Sequence, residues 1–147
     1  MTEQQIRQYS KILTVETRGQ GLLEVTEDIA RWQQSTGIVE GLVTLFCRHT
    51  SASLLIQENA APAVQRDIAA YFREIAPEDP SRYEHDDEGP DDMPAHLRAA
   101  LTAVSVQIPV FGGRLMLGTW QGIYVFEHRR RPHRREIALH LIGAPAR

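Results

Sequence analysis

Ile38-Val39-Glu40-Gly41-Leu42-Val43-Thr44-Leu45-Phe46-Cys47, followed without a break by Arg48-His49-Thr50-Ser51, decides what kind of fold this chain can adopt. The first ten residues are rich in valine, leucine and phenylalanine and read as a buried strand. The strand's end then delivers an arginine, a histidine and two hydroxyls to a sheet edge or turn. Before it, residues 6–18 place Tyr9, Lys11, Leu13 and Val15 at every second position, the mark of a half-buried strand. A turn at 19–21 and a short strand at 22–25 follow. Thr26 then reads as an N-cap, with Glu27 and Asp28 in a first helical turn where negative charge suits the dipole. Ile29, Trp32 and Gln33 share one side of that helix, and Gly37 stops it.

After the decisive strand, a short apolar run at 54–56 leads to a helix opened by Pro62. Its residues Val64, Ile68, Tyr71, Phe72 and Ile75 have the spacing of a helix packed on a core, and Pro77 and Pro80 end it. Residues 76–92 form the one long irregular segment, a length that in small domains is usually functional or mobile. Pro94 starts a short helix to residue 101, just after Asp91 and Asp92. Strands are expected at 104–110, 114–117, Gln121–Glu127 and 135–142, separated by glycines or by an arginine-rich turn. With no internal repeat and no linker, residues 1–147 make a single α+β domain in which strands dominate and helices are inserted between them.

Composition narrows the function. Apolar residues are 42% and charged residues 24% of the chain, which therefore folds rather than staying disordered. A net charge of −3 offers no positive field for nucleic acid. The single cysteine, Cys47, excludes an internal disulfide framework and fits a reducing, cytoplasmic compartment. Residues 1–10 are polar, and nowhere are there the roughly 20 apolar residues of a membrane span.

Of the six histidines, three draw attention. His49 closes the buried strand among hydroxyls, His85 lies in the acidic segment, and His96 enters a helix just after two aspartates. Imidazole serves as a neutral metal ligand or a proton carrier near neutral pH, so their convergence would build a site. His140 alternates with apolar neighbours and reads as structural; His128 and His133 flank arginines and read as solvated surface with a share in anion binding as the alternative. Glu84, Asp86, Asp87, Glu88, Asp91 and Asp92 repel one another unless solvent, a divalent cation or an arginine compensates. Arg129, Arg130, Arg131, Arg134 and Arg135 could supply that compensation, or grip phosphate through the guanidinium fork. By composition, Trp120 belongs in the core beside a tight turn, and Cys47 is buried and inert. Ser51 lacks the surroundings of a serine nucleophile.

Several separated motifs, His49-Thr50-Ser51-Ala52-Ser53-Leu54, Glu58-Asn59, Tyr83-Glu84-His85-Asp86, Asp91-Asp92-Met93-Pro94-Ala95-His96, Gly118-Thr119-Trp120-Gln121-Gly122-Ile123 and Glu127-His128, closely resemble the YjbQ family in the same order. The resemblance implies mostly antiparallel β-sheets packed orthogonally with two to three helices, assembled as a homotrimer. It also implies a secondary thiamine phosphate synthase activity, a transferase that joins a pyrimidine diphosphate to a thiazole phosphate with loss of pyrophosphate. The implied pocket contains His49, Thr50, Ser51, His85, His96, Thr119, Gln121 and Glu127, supported by Asn59 and Asp67. On that reading His49, His85 and His96 hold a divalent metal, zinc or magnesium, or carry protons. His49, Glu127 and Ser51 are the implied catalytic residues, Glu127 as an acid/base or further ligand, and Arg134 or Arg135 holds phosphate of a phosphorylated small-molecule substrate. A small-molecule or metal-binding protein with incidental activity, and a hydrolase of phosphorylated metabolites, are the alternatives.

Overall fold

The computed structural model describes residues 3–147, so the first two residues of the polar stretch 1–10 lie outside it. Eight strands and three α-helices run in the order β1 (Arg7–Glu16), β2 (Gly21–Glu24), α1 (Thr26–Ser35), β3 (Ile38–Cys47), β4 (Ala52–Glu58), α2 (Pro62–Ile75), α3 (Asp92–Leu101), β5 (Ser105–Phe111), β6 (Arg114–Leu115), β7 (Gln121–Glu127) and β8 (Arg134–Pro145). Among the described residues, a single 3-10 turn, Pro80–Arg82, interrupts the long irregular segment. Five strands form one sheet in the order β1-β8-β3-β5-β6, and three form another in the order β2-β7-β4, every pairing antiparallel.

Alternation explains which face of the larger sheet is covered. Val43, Leu45 and Cys47 of β3, Ile137, Leu139 and Leu141 of β8, and Ile108 and Val110 of β5 point inward and are buried. Ala52 and Leu54 of β4 with Ile123 and Val125 of β7 meet them from the smaller sheet. β7 is buried on both faces from Gly122 to Glu127, because Tyr124 and Phe126 point away from the larger sheet toward α2. Phe72 of α2 stands edge-on to Phe126 at 5.4 Å between ring centres.

Two glycines let β3 and β8 cross closely. Gly41 and Gly143 are register partners, and a Cβ on Gly143 would lie 2.2 Å from the Glu40 carbonyl oxygen and 2.7 Å from the Gly41 Cα. No side chain fits there without moving a strand.

Four expectations need correcting. Thr26 does not cap α1: its hydroxyl accepts the Ile123 N–H at 2.8 Å and donates to Glu24 Oε2, so it ties the helix start to β7 instead. None of the α2 residues is buried; Val64, Ile68 and Phe72 form a single row against the narrow three-stranded sheet, and Tyr71 and Ile75, one row over, stay exposed. Trp120 is 62% exposed. Its turn is closed by Gln121, whose side-chain oxygen accepts the Gly118 N–H at 2.8 Å, and this leaves the indole outside. His128 is fully buried rather than solvated, since it continues the doubly covered β7 before the chain reaches the arginine turn.

Candidate functional site

The irregular segment and the first turn of α3 bring His85 and His96 together, with ring centres 5.7 Å apart. Asp92 opens α3 and His96 sits one turn later, the i, i+4 spacing that stacks two side chains on one helix face. Asp92 Oδ2 lies 2.8 Å from His85 Nε2 and 3.2 Å from His96 Nε2; Glu88 Oε2 lies 3.3 Å from His85 Nε2. One donor atom from each of His85, Glu88, Asp92 and His96 falls within 4.8 Å of every other. Around a cation with bonds of about 2.1 Å, the edges of a ligand tetrahedron are about 3.4 Å, so the more widely spaced donors must draw in to hold one. The far side of His85, Nδ1, lies 3.4 Å from Asp87, a carboxylate placed to orient the ring. The hydrogen bond to Asp92 raises the His85 pKa. Burial opposes ionisation of Asp92, but its hydrogen bond with His85 and the charges of His96 and Arg129 outweigh it and hold the pKa below the ordinary value.

The donors fit a zinc-type ion better than magnesium. Two imidazoles and two carboxylate oxygens suit borderline cations, whereas magnesium asks for six oxygens in octahedral array.

His49 does not belong to this four-donor group. Its Nε2 accepts the Glu136 N–H at 2.7 Å, and burial, with the Arg135 charge nearby, lowers its pKa, so the ring is neutral. It borders a second polar centre built around the Glu127 carboxylate. Arg135 Nε donates to Glu127 Oε1 at 2.9 Å and the Thr17 hydroxyl donates to the same oxygen at 2.6 Å. Oε2 takes the backbone N–H groups of His128 and Arg129 at 3.0 and 3.2 Å and a second guanidinium contact. Burial works against this charge, but Arg135 and Thr17 hold the Glu127 pKa below the usual carboxylate range. With both oxygens so engaged, Glu127 has no proton to give and no vacant lone pair for a substrate. In this conformation it orders the strand end through five hydrogen-bond donors of four residues.

Arg135 is 4% exposed, and its other donor goes to the Ser51 hydroxyl at 2.9 Å and the Ser51 carbonyl at 3.2 Å. In this conformation Arg135 and buried Ser51 are bonded to each other rather than turned to solvent. Arg134, the next residue, points outward and is 72% exposed, 3.9 Å from Glu16. A cleft of about 430 Å³, lined by residues 16–23 and Glu127, opens beside this centre. Cys47 is buried, and burial raises its thiol pKa, in keeping with an inert side chain.

A third group lies at the β4 end of the smaller sheet. Asn59, Thr119 and Gln121 are exposed there, with the Asn59 amide donating to Glu24 Oε2 at 3.4 Å and its backbone N–H to Trp120 O at 2.9 Å. Thr50 is exposed in the turn after β3, and Asp67 is exposed on α2. No hydrogen bond among the described residues links any of these to the His85–His96 group. One chain therefore distributes the expected pocket over three places, of which the first two share the strand end 127–129.

A family model described as UPF0047 protein YjbQ-like matches residues 11–144. The chain belongs to the YjbQ family. A UPF0047 relative from Synechocystis is 52% identical over 137 residues, 93% of each chain. UPF0047 protein YjbQ of Escherichia coli O157:H7 is 40% identical over 136 residues, which cover 92% of this chain and 98% of that one. The crystal structure of an Aeropyrum pernix K1 protein, at 33% identity, superposes with a TM-score of 0.82 over 92% of this chain and 98% of the other. Among the described residues of this YjbQ member, no helix is long and apolar enough to cross a membrane. Glu88 and Asp92 were expected only as members of an acidic cluster that a cation or an arginine could compensate, not as partners of the histidines, although the Asp92-to-His96 helical spacing was a signal; Arg129 carried only the charge argument that some arginine should meet the acidic segment.

Proposed function

We propose that the chain is a divalent-metal-dependent transferase of the thiamine phosphate synthase type, joining a pyrimidine diphosphate to a thiazole phosphate with loss of pyrophosphate. The observation that supports this reading is the convergence of His85, Glu88, Asp92 and His96 at metal-ligand spacing. Zinc or a similar cation held there would act as a Lewis acid toward the departing pyrophosphate oxygens. Each protein group then has a task. His85 and His96 supply neutral nitrogen donors, and Asp87 orients the first of them. Arg134, exposed beside the cleft, is free to turn a fork of donors toward phosphate. Glu127 and Arg135 keep the strand end 127–129 rigid between the two centres.

The reading includes a homotrimer in the cytoplasm. Support for self-association comes from the uncovered face of the five-stranded sheet, where Ile12, Leu42, Phe46, Phe111 and Ile142 are 38–52% exposed on one side. Monomers rarely leave so many large apolar side chains together in water.

The test is single-turnover condensation with both phosphorylated substrates and added zinc, comparing wild type with His85→Ala and His96→Ala. Product should fall at least about a hundredfold in each variant, the scale of losing a metal that stabilises a leaving group. Wild-type turnover in both folded variants ends the catalytic reading.

A further inference from the structure

Six carboxylates crowd the segment between Glu84 and Asp92, yet only two of them join the imidazoles in the four-donor group. Arg129 holds back the nearest of the others, Asp91, together with one oxygen of Asp92. Leaving the end of β7, its side chain crosses to the start of α3 and stands 20% exposed among the acids. Its Nη1 donates to Asp92 Oδ1 at 2.7 Å and its Nε to Asp91 Oδ2 at 3.1 Å. Nη2 donates to the Glu88 carbonyl at 3.1 Å and reaches Asp91 Oδ1 at 3.5 Å. The Arg130 backbone N–H adds a bond to Asp91 Oδ2 at 2.9 Å. Asp91 is thus wholly engaged, and Asp92 keeps one oxygen, Oδ2, for His85 and His96.

We infer that Arg129 determines the selectivity of the cation site by withholding Asp91 and one oxygen of Asp92 from the ion. This rests on the metal reading above and goes beyond it. Calcium takes six to eight oxygens and favours bidentate carboxylates, and magnesium demands an octahedron of oxygens. With Arg129 in place, the site offers such ions one oxygen of Asp92, the Glu88 carboxylate and two nitrogens they bind poorly. A zinc-type ion is satisfied by those four donors. If the guanidinium is removed, Asp92 becomes free to turn bidentate and Asp91 to swing in, so the oxygen count rises toward what the harder ions need. The positive charge of Arg129 repels every divalent ion alike. Its loss by itself strengthens all of them together and leaves their ratio unchanged. The ratio therefore reports the withheld oxygens and not the charge.

Zinc affinity is measured by competition with a chromophoric chelator, and magnesium and calcium affinity by calorimetry, on the full chain with Arg129, Arg129→Gln and Arg129→Lys. The preference for zinc over magnesium should fall by about tenfold or more in Arg129→Gln, a typical scale for partners outside the first ligand shell. Arg129→Lys, which keeps the charge but not the planar fork, should reproduce most of that fall. An unchanged ratio in both, with zinc bound by wild type, overturns the inference and leaves the metal reading standing. Wild type that binds no zinc overturns the metal reading and this inference with it. If Arg129→Gln fails to fold, Arg129→Lys alone decides.

Discussion

Arg135→Ala should lower the unfolding free energy by about 3–5 kcal/mol, the usual cost of stranding one member of a buried ion pair. Arg135 is 4% and Glu127 1% exposed, so water cannot replace the lost guanidinium. Three donors would remain on the Glu127 carboxylate, the Thr17 hydroxyl and the N–H groups of His128 and Arg129, and they do not neutralise it. A loss of this size is a large share of the 5–15 kcal/mol that holds a typical domain together. Urea unfolding read by circular dichroism measures it. A double replacement, Arg135→Met with Glu127→Leu, should be milder than Arg135→Ala alone, because it removes the buried charge along with its partner. A cost below 1 kcal/mol for Arg135→Ala would show that Glu127 is not the electrostatic centre described above.

Acid should destabilise the protein through His128 before it does so through the carboxylates. This ring is fully buried, with Nε2 2.8 Å from the Ser53 hydroxyl and Nδ1 without a hydrogen-bond partner among the described residues. Burial, reinforced by the charge of Arg98, pushes its pKa down to about 3. The folded form thus keeps His128 neutral, whereas the unfolded chain takes up a proton below about pH 6.5. The contribution is complete above pH 6.5 and drains away, at about 1.4 kcal/mol per pH unit, as pH falls toward 3. Glu127, whose folded pKa is depressed, loses its contribution in the same direction but only below about pH 4. The two windows are separable. Between about pH 7.5 and about pH 5, wild type should lose about 2 kcal/mol that His128→Gln, which can still bond Ser53 but cannot titrate, does not lose. Parallel pH dependence of the two proteins would contradict this account of the buried ring.

What the sequence made legible follows from how local each cause is. β3 and β7 are found where they were read, at Ile38–Cys47 and Gln121–Glu127, because glycine or a polar turn bounds each apolar run. Pro62 marked the start of α2 for the equally local reason that proline suits a first helical turn. The burial of those elements was less legible. That β7 is covered on both faces depends on α2 lying across the smaller sheet, and nothing within residues 121–128 announces it. His128 was misread for that reason. Trp120 was misread because its turn is settled by one hydrogen bond, from the Gly118 N–H to the Gln121 side chain.

The site shows the same division. Asp92 and His96 are four residues apart on one helix, so their meeting could be read from spacing. Arg129 and Asp92 are 37 residues apart, and their bond depends on β7 ending beside α3, a tertiary fact. Family resemblance gathered His49 with His85 and His96, but within one chain the backbone of Glu136 holds His49 at the Glu127 centre.

Native mass spectrometry of protein purified without chelator bears most directly on the proposed cation site. Wild type should carry one zinc-type ion per chain and His96→Ala none, since that substitution removes one of the group's two nitrogen donors. Metal-free wild type, or an ion retained undiminished in His96→Ala, would contradict the metal reading.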